Sequence, residues 1–315
     1  MAFVVVLGLF AVLLVPSASA AVHRRATVPK VPKGNLVYDS NRTGTYEIFT
    51  MPADGSTSTQ LTDDPAWDSW WAKLSPDRTT ILFYRTPAGV HDSDYTKTSL
   101  WSMRADGSGV RLLRAAGADG WTYQGHGDFS PDGKQIVMFG GPASNPQIYV
   151  TGLDGTAPQA VTDRPGQNLD PAWAKDGSIV FISCPTWDCR RRSFEVYRIP
   201  PGGGEAQRLT DDGYQDQDPH LSPDGTQVAL LTRLEWNPDL WDIRVGPTGS
   251  VPQRLIGDGN INSKPNWSRD GTTILFHRAV RGTVRGFQIW AVAPDGSNLR
   301  QLTTLQPGQN EYPSA

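Results

Sequence analysis

One short motif recurs down the chain and limits what it can fold into. Ser-Pro-Asp-Gly or a close variant stands at Ser75-Pro76-Asp77-Arg78, Ser130-Pro131-Asp132-Gly133, Lys175-Asp176-Gly177, Ser222-Pro223-Asp224-Gly225 and Arg269-Asp270-Gly271, with the aspartates 44 to 55 residues apart. Each copy leads into an apolar run: Ile81–Tyr84, Ile136–Phe139, Ile179–Ile182, Val228–Leu231 and Ile274–His277. Self-similarity at this period marks stacked supersecondary units that bury their apolar faces only against one another. The runs are short and separated by Pro, Asp and Gly, so the units are antiparallel sheets and the expected fold is a β-propeller.

The unit around Asp176 shows the plan. An inner segment, Asp170-Pro171-Ala172-Trp173, precedes the turn; strands over 178–183, 194–199 and 206–210 follow it. Asp-Gly suits the turns because Gly accepts positive φ and Asp hydrogen-bonds its own backbone. Large residues at fixed repeat positions (Phe49, Trp101, Tyr149, Tyr197 and Trp290; Leu74, Phe129, Trp173, Leu221 and Trp267) are expected to pack sheet on sheet. The first repeat begins at Leu36-Val37-Tyr38 and lacks an inner strand, while the tail Asn310–Ser314 carries Pro313 where inner strands carry Pro171, Pro219 and Pro265. The reading is all-β: a six-bladed propeller of four-stranded antiparallel blades, closed by the C-terminal strand completing the first blade.

These motifs, with Asp39–Phe49 and Gln301-Leu302-Thr303, resemble the WD40-like repeats of the TolB-type propeller family across about residues 35 to 315. The resemblance implies a protein of the cell envelope that binds another protein. Similar repeats also occur in oligogalacturonate lyases, which use metal-bound histidines, so the alternative is a metal-dependent polysaccharide lyase with its site at the channel mouth.

Ahead of the repeats, Ala2–Val15 is almost wholly apolar and is followed by small residues at Ala18 and Ala20. Residues 1–20 therefore read as a secretory signal, 21–34 as a linker and 35–315 as the propeller. That predicts an exported chain: secreted, periplasmic or on the cell surface. Fourteen apolar residues make a poor membrane span, so no integral membrane protein is expected. In that setting Cys184 and Cys189 are expected to form a short-loop disulfide. Net charge is −3, which gives no footprint for nucleic acid.

Function is sought at the end opposite the uniform Asp-Gly turns, where long irregular loops gather. They carry Trp70, Trp71, Trp121, Tyr123, Trp187 and Trp236, read as an aromatic contact surface for an envelope protein or a glycan. The inner strands add polar positions at the same channel mouth: His126, Asp170, Asp216, Asp218, His220, Lys264 and Tyr312. Water-filled tunnel walls are one reading of this ring; a ligand or cation held by Asp170, Asp216 and Asp218 with His126 and His220 is the other. Four histidines (His91, His126, His220 and His277) are scattered over the repeats, and no hydrolase, zincin or phosphate-loop motif is present. The expectation is a binding or scaffold module without catalytic residues, resident metal or cofactor.

Overall fold

A computed structural model describes residues 30–185, 189, 194–233, 241–281, 286–303 and 308–315. Trp187, Trp236 and the apolar segment 1–20 lie outside the described residues. Among the described residues no helix is long and apolar enough to cross a membrane.

The repeats fold as propeller blades of four antiparallel strands. The first sheet runs, in order, Asn310–Ser314, Asn35–Ser40, Glu47–Pro52 and Thr59–Gln60. Its C-terminal strand pairs Asp39 with Glu311 and Ser40 with Asn310, so the tail does complete the first blade. Arg269 ties the same seam by donating to the carbonyls of Ala315, Pro76, Leu74 and Ser75. The next three sheets have inner strands Trp67–Leu74, Tyr123–Phe129 and Gln167–Trp173.

The hydrogen bonding does not divide the rest into separate blades, as a count of six predicts. Four sheets of four strands stand alone, and the remaining eight strands form one sheet. That sheet contains two four-stranded antiparallel units, Gln215–Ile256 and Ile261–Gln301, joined where Trp241 pairs in parallel with Ile261.

The core lies between neighbouring blades. Phe276, Ile243, Leu231 and Trp267 form one such layer, and Val180, Ile182, Val196 and Leu230 another. Each strand is only five to eight residues long in the inner positions, so a blade buries enough apolar surface only by stacking. The motif aspartates do the turn work expected of them. Asp77, Asp132, Asp224 and Asp270 each accept from the serine two residues before, whose own hydroxyl oxygen accepts the backbone N–H five residues on. Val31, in the segment read as linker, is buried and donates its N–H to the Arg78 carbonyl at 3.0 Å. Cys184 and Cys189 are joined by a disulfide.

Candidate functional site: the two ends of the central channel

Every inner strand slips register at the same place. The breaks lie between Trp70 and Lys73, Gly125 and Asp128, Leu169 and Ala172, Gln217 and His220, and Ser263 and Asn266. In each break, and at the matching place of the closing strand, sits a left-handed residue: Trp71 (φ 55°), His126 (46°), Asp170 (51°), Asp218 (49°), Lys264 (53°) and Tyr312 (49°). This backbone state costs a residue other than glycine roughly 1–2 kcal/mol, so the surroundings must over-determine it. A bulge re-aims its side chain, and here all six are brought to one place.

They meet a loop that descends from between strands Thr80–Pro87 and Ser99–Arg104. Asp68, which is buried, holds that loop: its Oδ2 accepts N–H bonds from Gly89 (2.7 Å), Val90 (3.1 Å) and His91 (3.2 Å). Asp92 then reaches Tyr312 Oη and Tyr95 Oη by hydrogen bonds and stands 3.4 Å from His126 Nε2. His126 Nε2 is also 2.9 Å from Tyr95 Oη, and its Nδ1 bonds the Asp170 carboxylate. The Trp71 ring stacks on the imidazole at 3.8 Å, and the Trp71 Nε1–H donates to the Gly127 carbonyl. Lys264 Nζ lies 2.6 Å from Asp218 Oδ1 and 4.9 Å from the Trp71 ring centre.

Burial opposes every charge in this cluster; partners overcome it at Asp92 and Lys264, whereas it still pushes the Asp218 carboxyl up to about 6. Desolvation raises the Asp92 carboxyl, but the His126 hydrogen bond and charge, with Lys264 and Tyr312, hold it well below the usual carboxylate range. Burial lowers Lys264, but Asp218, Asp170 and Asp92 more than offset it and keep the ammonium charged. Both ring nitrogens of His126 are engaged, so the cluster offers no free base. The space left among Trp71, Asp170, Asp218, His220, Lys264 and Tyr312 is about 30 Å³, room for about one water.

Several expected residues are placed elsewhere. Trp70 is wholly buried, its Nε1–H donating to Thr86 Oγ1 at 3.2 Å, and it packs on Tyr84, Tyr95 and Tyr312. Trp71 is buried as described. Trp121 lies against Tyr149 at 4.3 Å with the Arg114 guanidinium 3.9 Å above it, and Tyr123 packs on Tyr95 and Phe139. Trp70 and Trp71 are thus part of the buried core, while Trp121 and Tyr123 are half-buried against their neighbours. Asp216 does not join the channel ring. Strand alternation would put it on one face with Asp218, but the bulge turns Asp218 into the channel and leaves Asp216 beside Glu195 and Asp212. His220 Nδ1 accepts the Trp267 N–H and His277 Nδ1 the Tyr312 N–H; burial pushes both down to about 3, so they stay neutral. The four histidines form no metal cluster among the described residues. Asp92 and Asp68 escaped sequence reasoning; their one signal is the long second-to-third-strand loop of this repeat.

At the Asp-Gly-turn end the channel widens. A cavity of about 250 Å³ is lined by Lys73, Asp128, Trp173, His220, Trp267 and Arg269, and it reaches the surface at exposed Arg269. The Trp173 and Trp267 rings pack into the inter-blade core beside it, and their Nε1 atoms are buried away from the open space.

Known proteins match this architecture. An uncharacterized protein of Agrobacterium fabrum is 26% identical over 149 residues, 47% of each chain. A protein named TolB homolog from Chlorobium luteolum is 30% identical over 155 residues, covering 47% of this chain and 31% of that one. The matched stretch thus spans less than half the length of these curated relatives. TolB from Acinetobacter baumannii superposes with a TM-score of 0.71 at 18% identity, covering 89% of this chain and 66% of that one. An oligogalacturonate lyase in complex with manganese gives 0.55 at 12% identity, with 86% and 74% covered. At such identities the superpositions speak for the fold alone. The family model for the TolB β-propeller domain matches residues 115–314, well over half of the sequence, and the chain belongs to that family.

Proposed function

We propose that this protein is an exported, non-catalytic binding or scaffold module whose partner is a cell-envelope protein or a glycan. Membership of the TolB propeller family and the apolar leader-like segment support the setting. One contrast carries the reading. The space left at the loop end is about 30 Å³, whereas the turn-end cavity of about 250 Å³ is lined by the basic side chains Lys73 and Arg269 and reaches the surface. A carboxylate on a ligand pairs with such side chains through charge-assisted hydrogen bonds. The contact surface is therefore assigned to the turn end rather than to the loop-end aromatics. Carboxylate-bearing ligands fit it best, either an acidic peptide segment or a uronate-type glycan.

The test is binding of the purified protein to cell-envelope extract, to polygalacturonate and to acidic peptides, beside a Lys73→Met variant. The variant keeps a side chain of similar length and removes the ammonium group. Weaker binding by about tenfold with an unchanged melting temperature is expected, the size of one or two lost hydrogen bonds. Equal binding by both proteins would remove the turn end from consideration. Turnover of polygalacturonate by the manganese-supplemented protein would overturn the non-catalytic reading.

A further inference from the structure

The blade that begins with Gln215–Leu221 departs from its neighbours in one buried pocket. At a fixed position of the inner strand four other blades carry an amide (Gln124, Asn168, Asn262 and Asn310) and one carries Ser69; each amide N–H donates. Asn168 Nδ2 donates to the Pro146 and Arg164 carbonyls, Asn262 Nδ2 to the Trp241 carbonyl, and Asn310 Nδ2 to Gln288 Oε1. Here the position is Asp216, a group with nothing to donate when ionised. The two residues around it change in the same sense. Where Gln147 and Gln288 begin the third strands of two other blades, the blade before this one has Glu195, as the first blade has Glu47, and where Arg164 precedes strand Gln167–Trp173, Asp212 precedes strand Gln215–Leu221.

One carboxylate oxygen from each of Glu195, Asp212 and Asp216 lies within 4.8 Å of the other two. Glu195 is balanced by Arg208, 2.8 Å from Oε1, and Asp212 by Arg244, 3.2 Å from Oδ2. Asp216 is fully buried; its Oδ1 accepts from Thr232 Oγ1 at 2.7 Å, and its Oδ2 has no partner. The Thr210 hydroxyl lies near both acids and has one proton to give, which goes to Glu195 Oε2 at 2.7 Å. A buried carboxylate left without a counter-charge is expensive, and its bare oxygen faces the place where the other blades put a donor.

We propose that Glu195, Asp212 and Asp216 bind a hard divalent cation, of the size and oxygen preference of calcium, where this blade meets the one before it. Oxygens at roughly 2.3–2.6 Å from a common centre are the calcium arrangement, and three oxygens no more than 4.8 Å apart fit around one such ion. Magnesium, at roughly 2.0–2.1 Å with strict octahedral demands, fits a spread of that size less well. The cation replaces the amide protons of the other blades and fastens the inner strand to strand Glu195–Ile199. The competing occupant is a proton, since burial pushes the Asp216 carboxyl up to about 7.

Chelator-treated protein is melted with and without millimolar calcium, magnesium or added chelator, and calcium is titrated by calorimetry. The comparison variant is Asp216→Asn, which restores the amide of Asn168, Asn262 and Asn310 and so suits the fold. Calcium is expected to raise the wild-type melting temperature by several degrees, magnesium less, and the variant to lose at least about tenfold in calcium affinity while melting no lower than the chelated wild type. A wild type indifferent to calcium, or a variant with the same response, overturns the site. If Asp216→Asn does not fold, Glu195→Gln takes its place, with the residue found at Gln147 and Gln288; an unchanged calcium response there overturns the proposal equally.

Discussion

Single residues in this protein are held in states that only their neighbours justify. Arg78 occupies the turn position that Gly133, Gly225 and Gly271 fill in other blades, at φ 63°. Its guanidinium donates to the carbonyls of Val31, Pro32 and Asn35 and so docks the N-terminal segment. Glycine would relieve about 1–2 kcal/mol of backbone strain but forfeit charge-assisted bonds of roughly 1.5–3 kcal/mol each. Arg78→Gly is therefore expected to lower unfolding stability by about 1–3 kcal/mol in a urea titration, and a gain would show the docking to be idle. Glu311 is the second case. Burial, with Asp39 adding and His91 opposing, pushes its carboxyl up to about 7, so the fold favours the protonated form. That stabilisation is complete below the ordinary carboxyl value near 4.5 and is lost as pH rises through about 7. Glu311→Gln keeps an uncharged side chain at every pH. Its melting temperature should approach the wild-type value near pH 5 and exceed it near pH 8; a constant difference between the two would contradict the raised carboxyl.

At the scale of the element, loops and strands fit by close approach as much as by pairing. The Trp121 ring lies flat on strand Gln135–Gly141, and a Cβ built on Gly140 would fall 2.1 Å from its Cζ3. A rigid indole cannot yield by that much. Gly140→Ala should expel Trp121 from beneath Arg114 and cost about 1–3 kcal/mol, with a red shift of tryptophan emission as the readout. Unchanged emission would mean that the strand moves instead. The strands themselves were legible: apolar runs, Asp-Gly turns and the headless first repeat pointed to four-stranded antiparallel units and to the use of the tail, but not to the joining of eight strands into one sheet. The bulges were not. Nothing in Trp71, Lys264 or Tyr312 favours left-handed backbone, and three such different residues adopt it at the same place in their inner strands, where the ladder slips register.

For the whole molecule, closure is the decisive interaction. The tail supplies the inner strand of the first blade, Tyr312 to the channel and the Ala315 carbonyl to Arg269. Deleting residues 310–315 should cost about 5 kcal/mol or more, on the order of the entire stability of a domain, and abolish a cooperative thermal transition. A truncated chain that melts within a degree or two of the intact one would show that the ring holds without its seam. The channel is asymmetric at this scale as well: the Asp92 loop fills one end, and the other retains a lined cavity.

Local chemistry determined the repeat, the turn aspartates, the polar inner-strand positions and the use of the tail, because each depends on residues close in sequence or on a period that can be counted. Whether Trp70 faced solvent, whether Asp216 and Asp218 shared a face, and which channel end was filled depended on contacts between residues far apart in the chain. A one-residue bulge reverses where a side chain points, and a single loop from one blade can satisfy groups donated by three others. Those outcomes belong to three-dimensional packing, where burial and charge pairing across blades outweigh any preference written in a single segment.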